Sequence, residues 1–339
     1  MTEIIRIGLD LAKSVFEVHA VNAQEQVVVR RSLRRNQLLA WFARQPACLI
    51  GMEACGTANH WARELSGLGH TVRLIPPAYA KQYVRRNKND AADAAAICEA
   101  VSRPSMRFVP IKTVEQQADT ATHKARQMLI KQRTMIMNSL RGLMAEFGIV
   151  IPQGPQHISK LVAILGDPDD TRVPAVARTA LNALSETLSV LENQIGILDK
   201  DIKLRARANP TARRLTTIPG FGPILSSAIA AIVTDPRHFD SGRDFAASLG
   251  LVPRQDGTGG KVKLGPISKR GNGYLRRLLV NGATAVLNGK NARNDPWRVR
   301  MLDSKPKKLA AVALANKMAR IAWAVMTRQE DFRPRTVPA

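Results

Sequence analysis

Apolar residues in the first hundred positions recur at two different periods. Ile5, Ile7, Leu9 and Leu11 alternate with Arg6, Gly8 and Asp10, the period of a β-strand with one buried face. Residues 16–21 and 27–29 predict two more short strands, close enough in sequence to form an antiparallel meander with the first. A helix over 37–44, a buried strand over 48–52, a helix over 57–68 ended by Gly69, and a strand over 72–75 stopped by Pro76 and Pro77 follow. The order βββαβαβα predicts a mixed sheet with helices on its faces, an α/β layer architecture.

Between 114 and 147 the period becomes helical, with Ala118, Ala121, Ala125, Met128, Ile136, Leu140, Leu143 and Phe147 spaced for one helix face. After a Pro- and Gly-bearing loop over 152–174, Leu184, Leu188, Leu191, Ile195, Leu198 and Ile202 step by fours and threes until Pro210. Two long helices joined by a loop predict an all-α hairpin with a coiled-coil seam that joins two copies of the chain; a bundle packed within one chain is the alternative. Beyond Leu215 short helices broken by glycine are expected. The predicted domains are an α/β domain over 1–110, the helical hairpin over 111–212, a mainly helical domain over 213–330 and a flexible tail over 331–339.

Charge narrows the partner. Among 339 residues, 51 Lys and Arg face 27 Asp and Glu, a formal charge of +24, while 45% hydrophobic residues suffice for two or three cores. Residues 254–308 hold 14 of the cations against three acids. Such an excess attracts polyanions, because each neutralised phosphate releases counterions, so nucleic acid is the expected partner. No apolar stretch of membrane-spanning length and no signal-peptide pattern stands out, so a cytoplasmic protein without a membrane partner is expected. Cys48, Cys55 and Cys98 lack CxxC spacing and predict reduced core thiols.

Four acids carry candidate chemistry. Asp10 lies on the first strand, Glu53 follows a buried strand, and Asp90 and Asp93, three apart, share one helix face. Several carboxylates at strand ends suit a hard cation engaged in phosphoryl transfer; taken singly, Asp90 and Asp93 also read as acids offsetting a helix dipole. In the C-terminal region, a helix–PGFG–helix segment over 215–233 reads as a phosphate-binding turn or as a plain helical corner. Glycines flank the Thr258 hydroxyl, with Arg254, Lys261 and Lys263 nearby to offset phosphate charge. Ser268, beside Lys269 and Arg270, is the alternative nucleophile, and Arg276 and Arg277 open the next apolar helix. Composition alone reads this stretch as a solvated basic loop. Aromatic residues are only 4%, so contacts to the nucleic-acid backbone should outweigh base stacking.

The segments GLDLAKS, GMEACGTA and NKNDAADA resemble the three signatures of the RuvC-like DEDD domain of insertion-sequence 110 family transposases. TTIPGFGP, FAASLGLVPRQ, GTGGKVKLGPISKRGN and YLRRLLVNGA resemble the family's C-terminal domain in its 1111 subgroup. The resemblance covers nearly the whole chain. It implies an RNase H-like first domain, with Asp10, Glu53, Asp90 and Asp93 as an acidic tetrad holding Mg²⁺ or Mn²⁺. It implies a structured noncoding guide RNA, the bridge RNA, that pairs with donor and target DNA, and a homo-oligomer, a dimer or a tetramer in the synaptic complex. The family's nucleophilic serine falls on Thr258, where a threonine methyl crowds in-line attack; the metal-bearing tetrad would come from another subunit. Three functions follow: an RNA-guided DNA recombinase, an RNase H-like nuclease or junction resolvase without covalent intermediate, or a decayed, non-catalytic nucleic-acid-binding transposase.

Overall fold

The N-terminal alternation forms β1 (Arg6–Leu11), β2 (Val15–Val21) and β3 (Val27–Arg34), followed by α1 (Leu38–Phe42), β4 (Leu49–Glu53), α2 (Ala58–Gly67), β5 (Thr71–Ile75), α3 (Pro77–Ala80) and α4 (Asp90–Ala100). A computed structural model describes residues 3–80, 90–258 and 261–334, without the side chains of Ala78, Ala80, Asp90 and Val262. Tyr83, Gly259 and Gly260 therefore lie outside the described residues.

The strands form one sheet in the order β3-β2-β1-β4-β5, antiparallel from β1 to β3 and parallel from β1 to β4 and β5. The predicted apolar positions Ile7, Leu9, Phe16, Val18, Ile50 and Met52 line one face and bury against Leu38 and Phe42 of α1 and Trp61, Ala62 and Leu65 of α2. The opposite face takes α4, and it does so through glycine. A Cβ on Gly8 would lie 2.1 Å from the Ala94 carbonyl oxygen and 2.4 Å from the Cys98 nitrogen, so the helix backbone rests directly on the strand. Cys48 and Cys98 are buried thiols and Cys55 is half-buried; none forms a disulfide among the described residues.

The chain divides into two compact units, one ending at Val114 and one starting at Glu115. The second begins with α5 (Val114–Ala145), α6 (Ile158–Gly166) and α7 (Ala175–Ala208). The stretch expected to be a bare loop contains α6, because Ile158, Leu161 and Leu165 supply a short buried stripe against Met137, Leu140 and Met144 of α5. The seam expected to join two chains is covered within one. Leu188, Leu191, Ile195 and Ile202 are 3, 8, 5 and 2% exposed, and Leu188 belongs to the same core as α5 and α6. Spacing alone marked the seam without telling which helices cover it.

The remaining elements are α8 (Pro210–Thr216), α9 (Pro223–Ile232), α10 (Gly242–Ser248), β6 (Pro253–Thr258), β7 (Lys261–Ile267), α11 (Gly273–Asn288), α12 (Pro296–Ser304) and α13 (Lys307–Arg328). The C-terminal region is not made only of short helices, since α13 has 22 residues, and it is long and apolar enough by length and composition to cross a membrane. Half of that apolar window is buried, with Leu314, Met318, Ala322 and Val325 packed against Leu275, Leu279 and Ala283 of α11 and Leu225 and Ile229 of α9. The expected glycine loop is an antiparallel ribbon, β6–β7. In the expected loose tail, the Phe332 nitrogen donates to Thr217 Oγ1 at 2.9 Å.

Candidate functional site

In the first unit, strand register brings the predicted acids to one end of the sheet. The last recorded β1–β4 pair is Leu9 with Met52, so Asp10 and Glu53 are the next residues on neighbouring parallel strands, which run about 4.8 Å apart. Asp10 alternates with Gly8 and Glu53 with Gly51, so both carboxylates face the α4 side. Along α4, Ala94 sits over Gly8, while the Cys98 sulfur lies 4.0 Å from the Arg6 carbonyl. The helix therefore runs opposite to β1, and its first turn, with Asp90 and the half-buried Asp93, lies toward Asp10.

One acid escaped the sequence reading. Glu17 pairs with Asp10 across β1–β2, on the same face, and accepts a 2.6 Å hydrogen bond from Ser32 Oγ. Its signal was the predicted meander, which places the second strand of the hairpin opposite the first. Among the described residues no three His, Cys, Asp or Glu side chains come close enough together to hold a metal ion. Asp10, Glu53 and Asp93 share a sheet end without closing on one point, and the side chain of Asp90 lies outside the description.

In the second unit, Thr258 ends β6 opposite Lys261, at the tip of the ribbon, and every residue of β6 is exposed. Asp256 faces Lys263, and Gln255 faces Leu264. Ser268 lies at the root, where its nitrogen donates to the Val252 carbonyl at 2.8 Å. Thr258 is five residues along β6 from Pro253, which pairs with Ile267, so the two candidate hydroxyls stand roughly 17 Å apart along the strand. The root is tightly built. Gly250 and Gly271 adopt φ of 69° and 72°, and a Cβ on either would strike backbone of the opposite leg. The Arg276 guanidinium donates to the Leu249 and Arg270 carbonyls at 2.8 and 2.9 Å, and Asn316 donates to the Leu251 carbonyl. Arg276 thus fastens both legs, while Arg254, Lys261, Lys263, Lys269, Arg270 and Arg277 are exposed.

The aromatic faces in this region are engaged by the chain's own cations. Arg277 lies over the Tyr274 ring at 5.6 Å and Lys317 over Trp297 at 4.6 Å. In the turn between α8 and α9, Gly222 is the exposed N-cap of α9.

Comparison with known sequences decides what this arrangement belongs to. The pattern of the IS116/IS110/IS902 transposase family matches residues 212–297, and that of the DEDD transposases of the IS110 type matches residues 7–149. A probable family 20 transposase of Pseudomonas aeruginosa is 48% identical over 333 residues, covering 97% of this chain and 98% of its own length. The chain belongs to the IS110/IS116/IS902 transposase family. The transposase is also 40% identical to the transposase for IS1328 of Yersinia enterocolitica, over 98% of this chain and 99% of that protein. It is 40% identical to the transposase for IS1111A of Coxiella burnetii, over 98% and 92%. It is a transposase of an insertion sequence, and its substrate is DNA. Both matched regions contain one of the sites described above.

Proposed function

We propose that the transposase moves its element by RNA-guided cleavage and exchange of DNA strands, using a divalent ion held by Asp10, Glu53, Asp90 and Asp93 and the Thr258 hydroxyl as nucleophile. The observation that carries the reading is the placement of Asp10 and Glu53 at adjoining ends of parallel strands, facing the helix that bears Asp90 and Asp93. An all-oxygen donor set suits Mg²⁺ or Mn²⁺ rather than a softer metal. An ion bound there supplies positive charge to the oxygens of a reacting phosphate. The strand order 3-2-1-4-5 supports an RNase H-like first domain.

Thr258 suits attack because it stands at an exposed tip, across from a lysine that offsets charge developing on the phosphate. Its Oγ forms a bond to phosphorus as a bridging P–O bond breaks; the threonine proton goes to solvent, and the released strand end takes up a proton as a hydroxyl. The root position and half-burial of Ser268 favour Thr258. Donor and target DNA, a structured noncoding RNA and further copies of the chain are the partners in this reading. The RNA rests on the motif resemblance and on the charge of +24. In this reading the chain's domains are the α/β domain over 1–110, the helical hairpin over 111–212 and the mainly helical domain over 213–330, with a tail over 331–339.

The experiment is to incubate the full chain with guide RNA, DNA and Mg²⁺ and to quench in denaturant. A protein–DNA adduct with phosphate on Thr258 is expected, absent in Thr258→Ala and retained in Thr258→Ser. Cleavage without any adduct favours the metal-dependent nuclease instead, and phosphate on Ser268 moves the nucleophile to the ribbon's root.

A further inference from the structure

The β6–β7 ribbon has two unlike faces. By strand alternation and cross-strand pairing, Arg254, Asp256, Thr258, Lys261 and Lys263 share one face, and Gln255, Gly257 and Leu264 lie on the other. A Cβ on Gly265 would lie 3.7 Å from that of Arg254, which keeps Arg254 on the charged face beyond the register shift. Among the described residues, the blades build no core. All six residues of β6 are exposed, and Leu264 is 63% exposed, a burial pattern that folding alone does not explain. The root, by contrast, is fixed by Arg276, Asn316 and the backbone contacts at Gly250 and Gly271. A stiffly rooted blade with three cations and one acid on a single face is complementary to a polyanion.

We infer that the charged face of this ribbon enters the major groove of duplex DNA. This deepens the reading of Thr258 and rests on it for the identity of the substrate. Two strands about 4.8 Å apart, with side chains on both faces, fit a groove about 12 Å wide and not the minor groove of about 6 Å. A-form duplexes are excluded on the same ground, because their major groove is deep and narrow. The six residues of β6 extend about 20 Å, enough for the tip to reach the far wall of the groove, where the phosphates are. In this pose Arg254 and Lys263 reach base edges, Arg254 with the fork geometry that matches guanine, and Asp256 offers an acceptor to cytosine. Thr258 and Lys261 arrive at the backbone.

The test measures affinity of the full chain for a B-form DNA duplex of roughly three helical turns. One duplex is unmodified, a second has its major groove filled by glucosylated hydroxymethylcytosine, a third is saturated with the minor-groove ligand netropsin, and a fourth is the RNA–DNA hybrid of the same sequence. Filling the major groove is expected to weaken binding about tenfold, the size of one lost base-edge contact. Netropsin should change nothing, and the hybrid should bind like the filled duplex. In the double variant Arg254→Ala, Lys263→Ala the preference for the open groove should vanish with the melting temperature unchanged. Competition by netropsin, equal binding of the hybrid, or a preference that survives in the double variant overturns the proposal. Thr258→Ala separates this inference from the nucleophile assignment. A groove preference without an adduct in any form of the protein sinks the nucleophile alone, and an adduct without the preference sinks the ribbon's docking alone.

Discussion

His123 Nδ1 lies 3.0 Å from the Tyr274 hydroxyl, and its other ring nitrogen lies 3.1 Å from Ser227 Oγ, so one buried imidazole ties α5 to α9 and to the first turn of α11. Burial, and then the charges of Arg126 and Arg205, hold it far below the ordinary 6.5, at about 4. The folded chain thus keeps His123 neutral where an unfolded histidine would take a proton. Its contribution is complete above about pH 6.5 and drains away as pH falls toward 4, at up to about 1.4 kcal/mol per unit. Urea unfolding across that range should show this slope, and His123→Gln should flatten it while costing about 1–3 kcal/mol at neutral pH.

Gly8→Ala should be disruptive well beyond its single methyl. The added carbon would occupy the space of the Ala94 carbonyl, so α4 must lift from the sheet. A loss of about 3 kcal/mol or more is expected in thermal unfolding, above the usual cost of overpacking because backbone rather than a side chain must yield. The same variant should lose binding of Mn²⁺, measured calorimetrically, since Asp93 travels with the helix.

Ile195→Ala should lower stability by about 2–4 kcal/mol through cavity formation. Because the position is covered inside one chain, the mass read by light scattering should not change. A drop in mass at unchanged stability would return the seam to the contact between copies.

Asp10→Ala is expected to abolish strand transfer and to leave DNA affinity within about twofold, because phosphate contacts come from exposed cations and not from the acidic end of the sheet. Gel-shift and transfer assays on one preparation check both. Removing divalent ions with a chelator should reproduce the effect in the unaltered protein.

The acids at 10 and 53 were legible because strand alternation reveals both a face and an end. Glu17 was not, since its importance depends on which residue it pairs with across a turn. The ribbon was hidden by Pro253, Gly257, Gly265 and Pro266, which read as loop and mask the alternation of Arg254, Asp256 and Thr258. The length of α13 was obscured in another way: its buried face is largely alanine, and Lys317 and Arg320 interrupt the apolar run along the sequence, so little contrast marks the helix.

The ribbon is anchored at one end and borrows nothing from the core along its blades. Changes in its length or side chains therefore carry almost no folding penalty, while changes at Gly250, Gly271 or Arg276 carry a large one. Substrate preference can drift in such a protein without being purged as misfolding, so new specificities should be sought by randomising residues 254–257 and 261–264, with Thr258 kept, rather than by redesigning the domain that holds them.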